Sequence, residues 1–301
     1  MKYFAAPDRF YQRETLYQLV QCRACSLVWL GNPPRPEDIG LHYGKEYHEA
    51  ITNSGERYLN KRWAYPRKRI LELVQKGALL DIGCSSGGFL SSLKNSGFQL
   101  HGIEASSTVT QKAIENSGAQ VYAGEINDAP FPPSSFDVIT GFHVLEHVYN
   151  LKETMDRLWK WLKPGGILYL HVPNIEALEA RMFRSFWYGL ELPRHLYHFS
   201  PSSMKHLFAK FAFQEISVTT LPENHIERSM KYVSDHLRKA SGLIPASYPS
   251  EEQASLVWRV IRKGFRMTFL VPLGYLAFSV GRGATIEAIF RKCEQRSECG
   301  V

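Results

Sequence analysis

Leu79-Leu80-Asp81-Ile82-Gly83-Cys84-Ser85-Ser86-Gly87-Gly88-Phe89-Leu90, with Gln99-Leu100-His101-Gly102-Ile103-Glu104 a short way on, decides how this chain is read. An apolar strand ends in Asp81. A glycine-containing turn follows, then a helix, and a second strand closes on Glu104. This is the layout of a nucleoside crevice at the carboxyl ends of parallel strands. Glycine lets a backbone approach a ligand that a Cβ would exclude. An acid about 20 residues after the turn is placed to hold ribose hydroxyls.

Two ligand classes use such a crevice. A dinucleotide site needs Gly-x-Gly-x-x-Gly ahead of a helix whose N-terminus faces a pyrophosphate. Here the turn reads Gly83-Cys84-Ser85-Ser86-Gly87-Gly88, so the Gly-x-Gly core is absent. Asp81 would repel a diphosphate and attract a ligand carrying an amino group. A cationic nucleoside is expected in preference to NAD. The run resembles the Asp-x-Gly-x-Gly-x-Gly motif of class I S-adenosylmethionine-dependent methyltransferases. Ser85 stands where the middle glycine of that motif usually sits, a replacement that is tolerable if its φ is negative.

Outward from this stretch, strand candidates recur at 78–83, 99–103, 119–123, 136–140, 166–172 and 213–219. Helical periods fall between them at 89–95, 108–117, 151–162 and 201–211. Strands alternating with helices predict a doubly wound, mostly parallel α/β sheet. The resemblance implies seven strands in a Rossmann-like fold, the last antiparallel and paired with the strand before it. On that reading 213–219 pairs with 284–290, and 222–282 is a helical insertion between them. The expected division is a lead-in at 1–60, a methyltransferase core at 61–221, the insertion at 222–282, and a last strand and tail at 283–301. The lead-in holds strand candidates at 15–20 and 27–30 around Cys22-Arg23-Ala24-Cys25. That Cys-x-x-Cys resembles half of a zinc ribbon fused to some of these methyltransferases. A structural zinc needs four ligands, so a degenerate, metal-free remnant is expected.

The resemblance covers about 65–220 plus the last strand, and it implies S-adenosylmethionine as cofactor. Carried onto matching positions, it implies cofactor contacts at Asp81, Gly83, Cys84, Ser85, Gly87 and Phe89 in and after the turn. Glu104 and Ala105 follow at the second strand, Glu125 and Ile126 in a loop flanking adenine, and Phe142 after the fourth strand, beside the methionine arm. Methyl transfer to oxygen also needs a base with a pKa near about 7. His143 and His195 are the candidate catalytic residues. His195 lies in Pro193-Arg194-His195-Leu196-Tyr197-His198-Phe199-Ser200-Pro201. That pattern resembles a segment of methyltransferases found with polysaccharide and quinone pathways. The competing reading of His195 is a hydrogen bond that orders its loop, and Arg194 would be either an acceptor contact or a surface cation. His147 beside Glu146 reads equally as a packing residue, and His171 as a core histidine.

At 301 residues with 44% hydrophobic content the chain can bury a sizeable core. Lys and Arg exceed Asp and Glu by 36 − 29 = 7, which suits anionic partners without choosing among them. Five cysteines without paired spacing, and no apolar run at the N-terminus, point to a reducing cytoplasm. The expected acceptor is a small molecule or one linked to a lipid or sugar. Nucleic acid is disfavoured, because Gly141-Phe142-His143-Val144 replaces the Asn/Asp-Pro-Pro-aromatic run of base amino-methylases. Residues 251–281 join a basic helical period to an uncharged run at 267–281. This run is shorter than the ~20 residues a membrane span needs. Three readings stand: peripheral membrane contact, a lid over an apolar acceptor, or a helix packed on the core. The competing functions are an NAD-linked oxidoreductase and a catalytically silent cofactor-fold binding module.

Overall fold

The computed structural model describes residues 1–44, 56–223, 225–241 and 264–294. Two compact units emerge, each assembled from pieces distant in sequence. The first comprises 1–33, 173–201 and 219–286; the second comprises 34–172, 202–218 and 287–301. These units cut the chain differently from the consecutive segments 1–60, 61–221, 222–282 and 283–301. The basic period at 251–263 and Cys299 lie outside the described residues.

The second unit is built on nearly all of a seven-stranded, mostly parallel sheet with an antiparallel strand. Its strands are β4 (Gly77–Ile82), β5 (Phe98–Glu104), β6 (Gln120–Ala123), β7 (Phe136–Phe142), β8 (Leu162–Pro173), β10 (Phe213–Leu221) and β11 (Thr285–Lys292). They are ordered β10-β11-β8-β7-β4-β5-β6. β4 pairs in parallel with both β5 and β7. β11 lies between β10 and β8, so the expected pairing of the last two strands is present. Four residues of β4 in sequence, Leu79 to Ile82, are buried, as strands covered on both faces require.

Helix α1 (Glu56–Leu73), α2 (Gly88–Ser92) and α3 (Ser107–Ser117) flank this sheet. Ile70, Phe89, Leu90 and Ala113 from these helices share one core with Leu79, Val138, Ile167 and Ile289 from the strands. Helix α4 (Leu151–Trp161) buries Leu151, Met155, Leu158 and Trp161, the spacing of one helical face. Asn150 caps it by accepting from the Glu153 amide at 3.2 Å, which satisfies an amide left open at the helix start. β8 begins directly after this helix, at Leu162. The sequence predicts a break through Gly165, but Leu162 pairs with Phe136 and extends the ladder.

The first unit carries a four-stranded sheet ordered β1-β2-β3-β9. Its strands are β1 (Lys2–Pro7), β2 (Leu16–Gln21), β3 (Val28–Leu30) and β9 (Tyr197–His198). β1 and β9 are not evident from the sequence; β1 hairpins with the next strand, β2, while β9 is defined by a distant partner, β3. Helix α5 (Leu178–Phe183), α7 (Ile226–Ala240) and α8 (Val271–Ser279) belong here, the last preceded by a π-helical turn, Arg266–Leu270. Helix α6 (Pro201–Lys210) returns to the second unit, where Phe208 stacks on Phe290 at 4.2 Å.

Candidate functional site

Strand order reverses at β4, between β5 and β7, and the crevice outside the carboxyl ends of such strands is where an open α/β sheet binds ligands. Register brings the acids there. Asp81 lies level with Gly102 on β5 and with Thr140 on β7. It is buried, and its Oδ1 accepts from Thr140 Oγ1 at 2.7 Å. Burial pushes the Asp81 carboxyl up to about 7; the Thr140 bond pulls the other way, and the nearby Glu104 charge adds to the rise.

The turn holds Gly83 at φ 63° and Gly87 at φ 77°. A Cβ on Gly83 would collide with Val144 Cγ2, and one on Gly87 would lie 2.8 Å from the Ala113 carbonyl oxygen. The glycines are therefore demanded by packing of the turn against protein, and not only by room for a ligand. Ser85 departs from the expected negative φ: it sits at 50°, in the left-handed region that costs a side chain free energy. Its amide donates to Glu104 Oε2 at 3.0 Å, a charge-assisted bond that offsets part of that cost.

Glu104 is half-buried, and Ser106 N donates to its other oxygen, Oε1, at 3.0 Å. Each carboxylate oxygen thus holds one backbone N–H and retains capacity for a hydroxyl. Two ribose hydroxyls match that donor requirement. Glu125 is exposed beside buried Ile126, and Ala105 is exposed. The Glu125 carboxyl is raised by burial and by the charges of Asp128 and Glu104. The Glu104 charge thus raises both Asp81 and Glu125, which marks a negative field. Such a field fits a cationic nucleoside such as S-adenosylmethionine and opposes a pyrophosphate.

Three of the expected cofactor residues carry core side chains. Cys84 is buried, its thiol pKa pushed up by that burial, and a Cβ on Gly102 would lie 2.7 Å from its Sγ. Phe89 and Phe142 join Trp63 in one aromatic cluster, with centroids 4.7 Å apart for Phe89–Phe142 and 5.0 Å for Trp63–Phe142.

His143 follows β7 at φ 60°, and its Nδ1 lies 3.2 Å from Glu146 Oε1. The Glu146 side chain is fully buried, while that of His143 is 31% exposed. His147 Nδ1 lies 3.0 Å from the Tyr43 hydroxyl. His171 is a core histidine, with Nε2 at 3.0 Å from the Tyr169 hydroxyl and 3.6 Å from Glu287 Oε2. Tyr169 donates to Glu287 at 2.6 Å, and Tyr65 does so at 3.2 Å. Sequence reasoning missed this buried acid. Its signal was a glutamate inside Thr285-Ile286-Glu287-Ala288-Ile289-Phe290.

His195 belongs to the first unit, where it is buried with Nδ1 2.9 Å from the Gly189 carbonyl oxygen and Nε2 3.6 Å from Glu191. Arg194 is not the surface cation that one reading made it. Its side chain is 0% exposed, with Nε 3.3 Å from Glu191 and Nη1 3.8 Å from a fully buried Asp8. Cys22 and Cys25 lie at the β2–β3 turn outside any disulfide, and no metal-ligating cluster of three gathers around them among the described residues.

A sequence family described as a methyltransferase domain matches residues 56–218. The malonyl-[acyl-carrier protein] O-methyltransferase of Enterobacter lignolyticus is 22% identical over 66% of this chain and 81% of its own length. The ubiquinone biosynthesis O-methyltransferase of Azoarcus is 29% identical over 44% of this chain and 57% of its own length. A solved S-adenosylmethionine-dependent methyltransferase from Archaeoglobus fulgidus shares the fold, with TM-score 0.54 and 18% identity over 81% of this chain and 98% of that one.

Proposed function

We propose that this chain, which belongs to the methyltransferase-domain family and takes its methyl group from S-adenosylmethionine, places that methyl on an oxygen of a small-molecule, lipid-linked or sugar-linked acceptor. The cofactor supplies a methyl made electrophilic by its sulfonium charge. Glu104 holds the ribose. The acidic rim of Asp81 and Glu104 attracts the cation. His143 takes the proton from the acceptor hydroxyl as the oxygen attacks in line.

The observation that carries this reading is the His143–Glu146 pair at the carboxyl end of β7. With Nδ1–H donated to buried Glu146, the ring is fixed in the tautomer whose Nε2 carries the lone pair. A φ of 60° on a non-glycine residue is a cost that structures bear most often at functional positions. Three of the relatives are named O-methyltransferases, against two C-methyltransferases and one N-methyltransferase, which supports oxygen as the acceptor atom.

The test uses S-adenosylmethionine labelled with carbon-13 in its methyl group, incubated with fractionated lipid, glycan and small-molecule extracts. The chemical shift of the transferred carbon identifies the atom that received it. A product labelled on oxygen is expected; one labelled on nitrogen or carbon overturns the reading. His143→Ala should lower turnover by about 10²- to 10⁴-fold, the usual worth of a general base. Affinity for S-adenosylmethionine by calorimetry should stay unchanged.

A further inference from the structure

Residues 264–281 contain no acid and one cation, Arg266. A helix on the surface of a soluble domain turns its large apolar side chains inward. This one does the reverse. Leu270, Gly274 and Ala277 form the buried stripe. The outward positions carry Phe265, Met267, Phe269, Tyr275, Leu276 and Val280, of which Phe269 is 60% exposed and Leu276 59%.

The inner stripe is seated within the first unit. Leu273, Gly274 and Ala277 line a crevice with Leu178, Met182 and Ile226. Leu270 and Leu273 with small Gly274 and Ala277 make the seat, and the aromatic residues are left in solvent. Apolar area of this kind is a recognised mark of an interaction surface. The exposed residues surround the helix on more than one side, so they form no single stripe for a partner helix to pack against. Aromatic and aliphatic groups spread around an uncharged helix suit a fluid apolar phase, where no facing side chains need to interlock.

Charge selects the kind of surface. Arg266 stands at the start of the segment, and Arg181 precedes Met182 on α5. Both are exposed, and neither forms an ion pair among the described residues. Of the acids at the crevice, Glu179 is buried, which raises its carboxyl pKa, and Glu223 accepts from Thr285 Oγ1 at 2.7 Å while the cation Arg282 lines the same crevice. No described helix is long and apolar enough to cross a membrane. We infer that the Phe265–Val280 segment docks in the interface of an anionic phospholipid bilayer, with apolar side chains at the acyl boundary and arginines on the headgroups. This goes beyond the assigned methyl transfer and does not depend on which acceptor is used.

The experiment is co-sedimentation of the full chain with vesicles of phosphatidylcholine alone and of phosphatidylcholine with phosphatidylglycerol. Binding to the anionic vesicles is expected, weakening as salt screens the headgroup charge. Phe269→Asp with Leu276→Asp should reduce the sedimented fraction by roughly fivefold or more, since burying a carboxylate in the interface opposes insertion. Phe269→Gln with Leu276→Gln serves as the milder pair should the aspartates disturb folding, which circular dichroism reports. Failure of the intact chain to sediment with anionic vesicles overturns the proposal. So does vesicle-independent self-association that either pair abolishes, because the face would then bind a second copy.

Discussion

Glu104 and Arg194 carry opposite solutions to placing a charge. At Glu104 the chain holds a carboxylate half-buried, fixes its direction with the amides of Ser85 and Ser106, and leaves both oxygens with spare capacity. At Arg194 the charge is closed inside, against Asp8 and Glu191 and over the Phe10 ring at 5.1 Å. In the sequence both stand in segments that resemble methyltransferases. In the fold one keeps acceptor capacity at the strand ends, and the other is buried among acids of its own unit. A group suited to binding keeps part of its hydrogen-bonding capacity within reach of a ligand; a group closed inside does not.

The contrast can be broken from either side. The largest effect is expected at Arg194. Arg194→Met leaves Asp8 and Glu191 without their cation, and breaking a buried pair in this way costs about 3 to 5 kcal/mol. Chemical denaturation should register that loss. A change under 1 kcal/mol would mean that the buried charges matter little.

At Glu104 ligand affinity should fall, with a smaller loss of stability, because the amide nitrogen of a glutamine cannot accept from the Ser85 or Ser106 amide. Glu104→Gln removes charge-assisted bonds worth about 1.5 to 3 kcal/mol, roughly a 10- to 100-fold weaker hold on S-adenosylmethionine by calorimetry. Unchanged affinity would remove Glu104 from the site.

Asp81 sharpens the comparison through pH. Its carboxyl, raised to about 7 by burial, is neutral below that pH and ionised above it. Attraction for the cationic ligand is therefore present above pH 7 and fades as pH falls, by up to about tenfold per unit. Stability runs the other way. The unfolded chain ionises Asp81 near its ordinary value while the folded chain keeps the proton, so this group costs stability progressively as pH rises from about 4 to 7. Asp81→Asn should flatten both profiles, and a pH-dependent affinity surviving in that variant would point to another group.

The smallest effect is expected at Ser85. Replacing it with glycine relieves a left-handed φ and should raise stability by about 1 kcal/mol, visible as a modest rise in melting temperature. A loss instead would show that the hydroxyl contributes more than the strain costs.

Most of the central sheet was legible because strand and helix periods differ and the apolar runs at 78–83, 136–140 and 166–172 are long. The acid at the end of β5 was legible for the same reason, since its position follows from chain distance alone. β9 was not, because a two-residue strand exists only where a distant strand offers its hydrogen bonds; β1, of ordinary composition, was missed as well although it pairs with the next strand along the chain. The Thr140–Asp81 bond was hidden as well: cross-strand neighbours depend on register, which no local pattern states.

By itself the sequence carried the resemblance to a methyltransferase family, with the cofactor class that this implies, and the order of the central-sheet elements, since motifs and periods are local to the chain. Tertiary structure alone decided which residues are spent and which remain available. It closed Arg194 and His195 inside the first unit, sent Cys84 and Phe89 into the core with Phe142 packed against it, brought Thr140 to Asp81, and turned Phe269 and Leu276 outward. Burial and partnership depend on residues far apart in sequence, and only the folded chain brings those together.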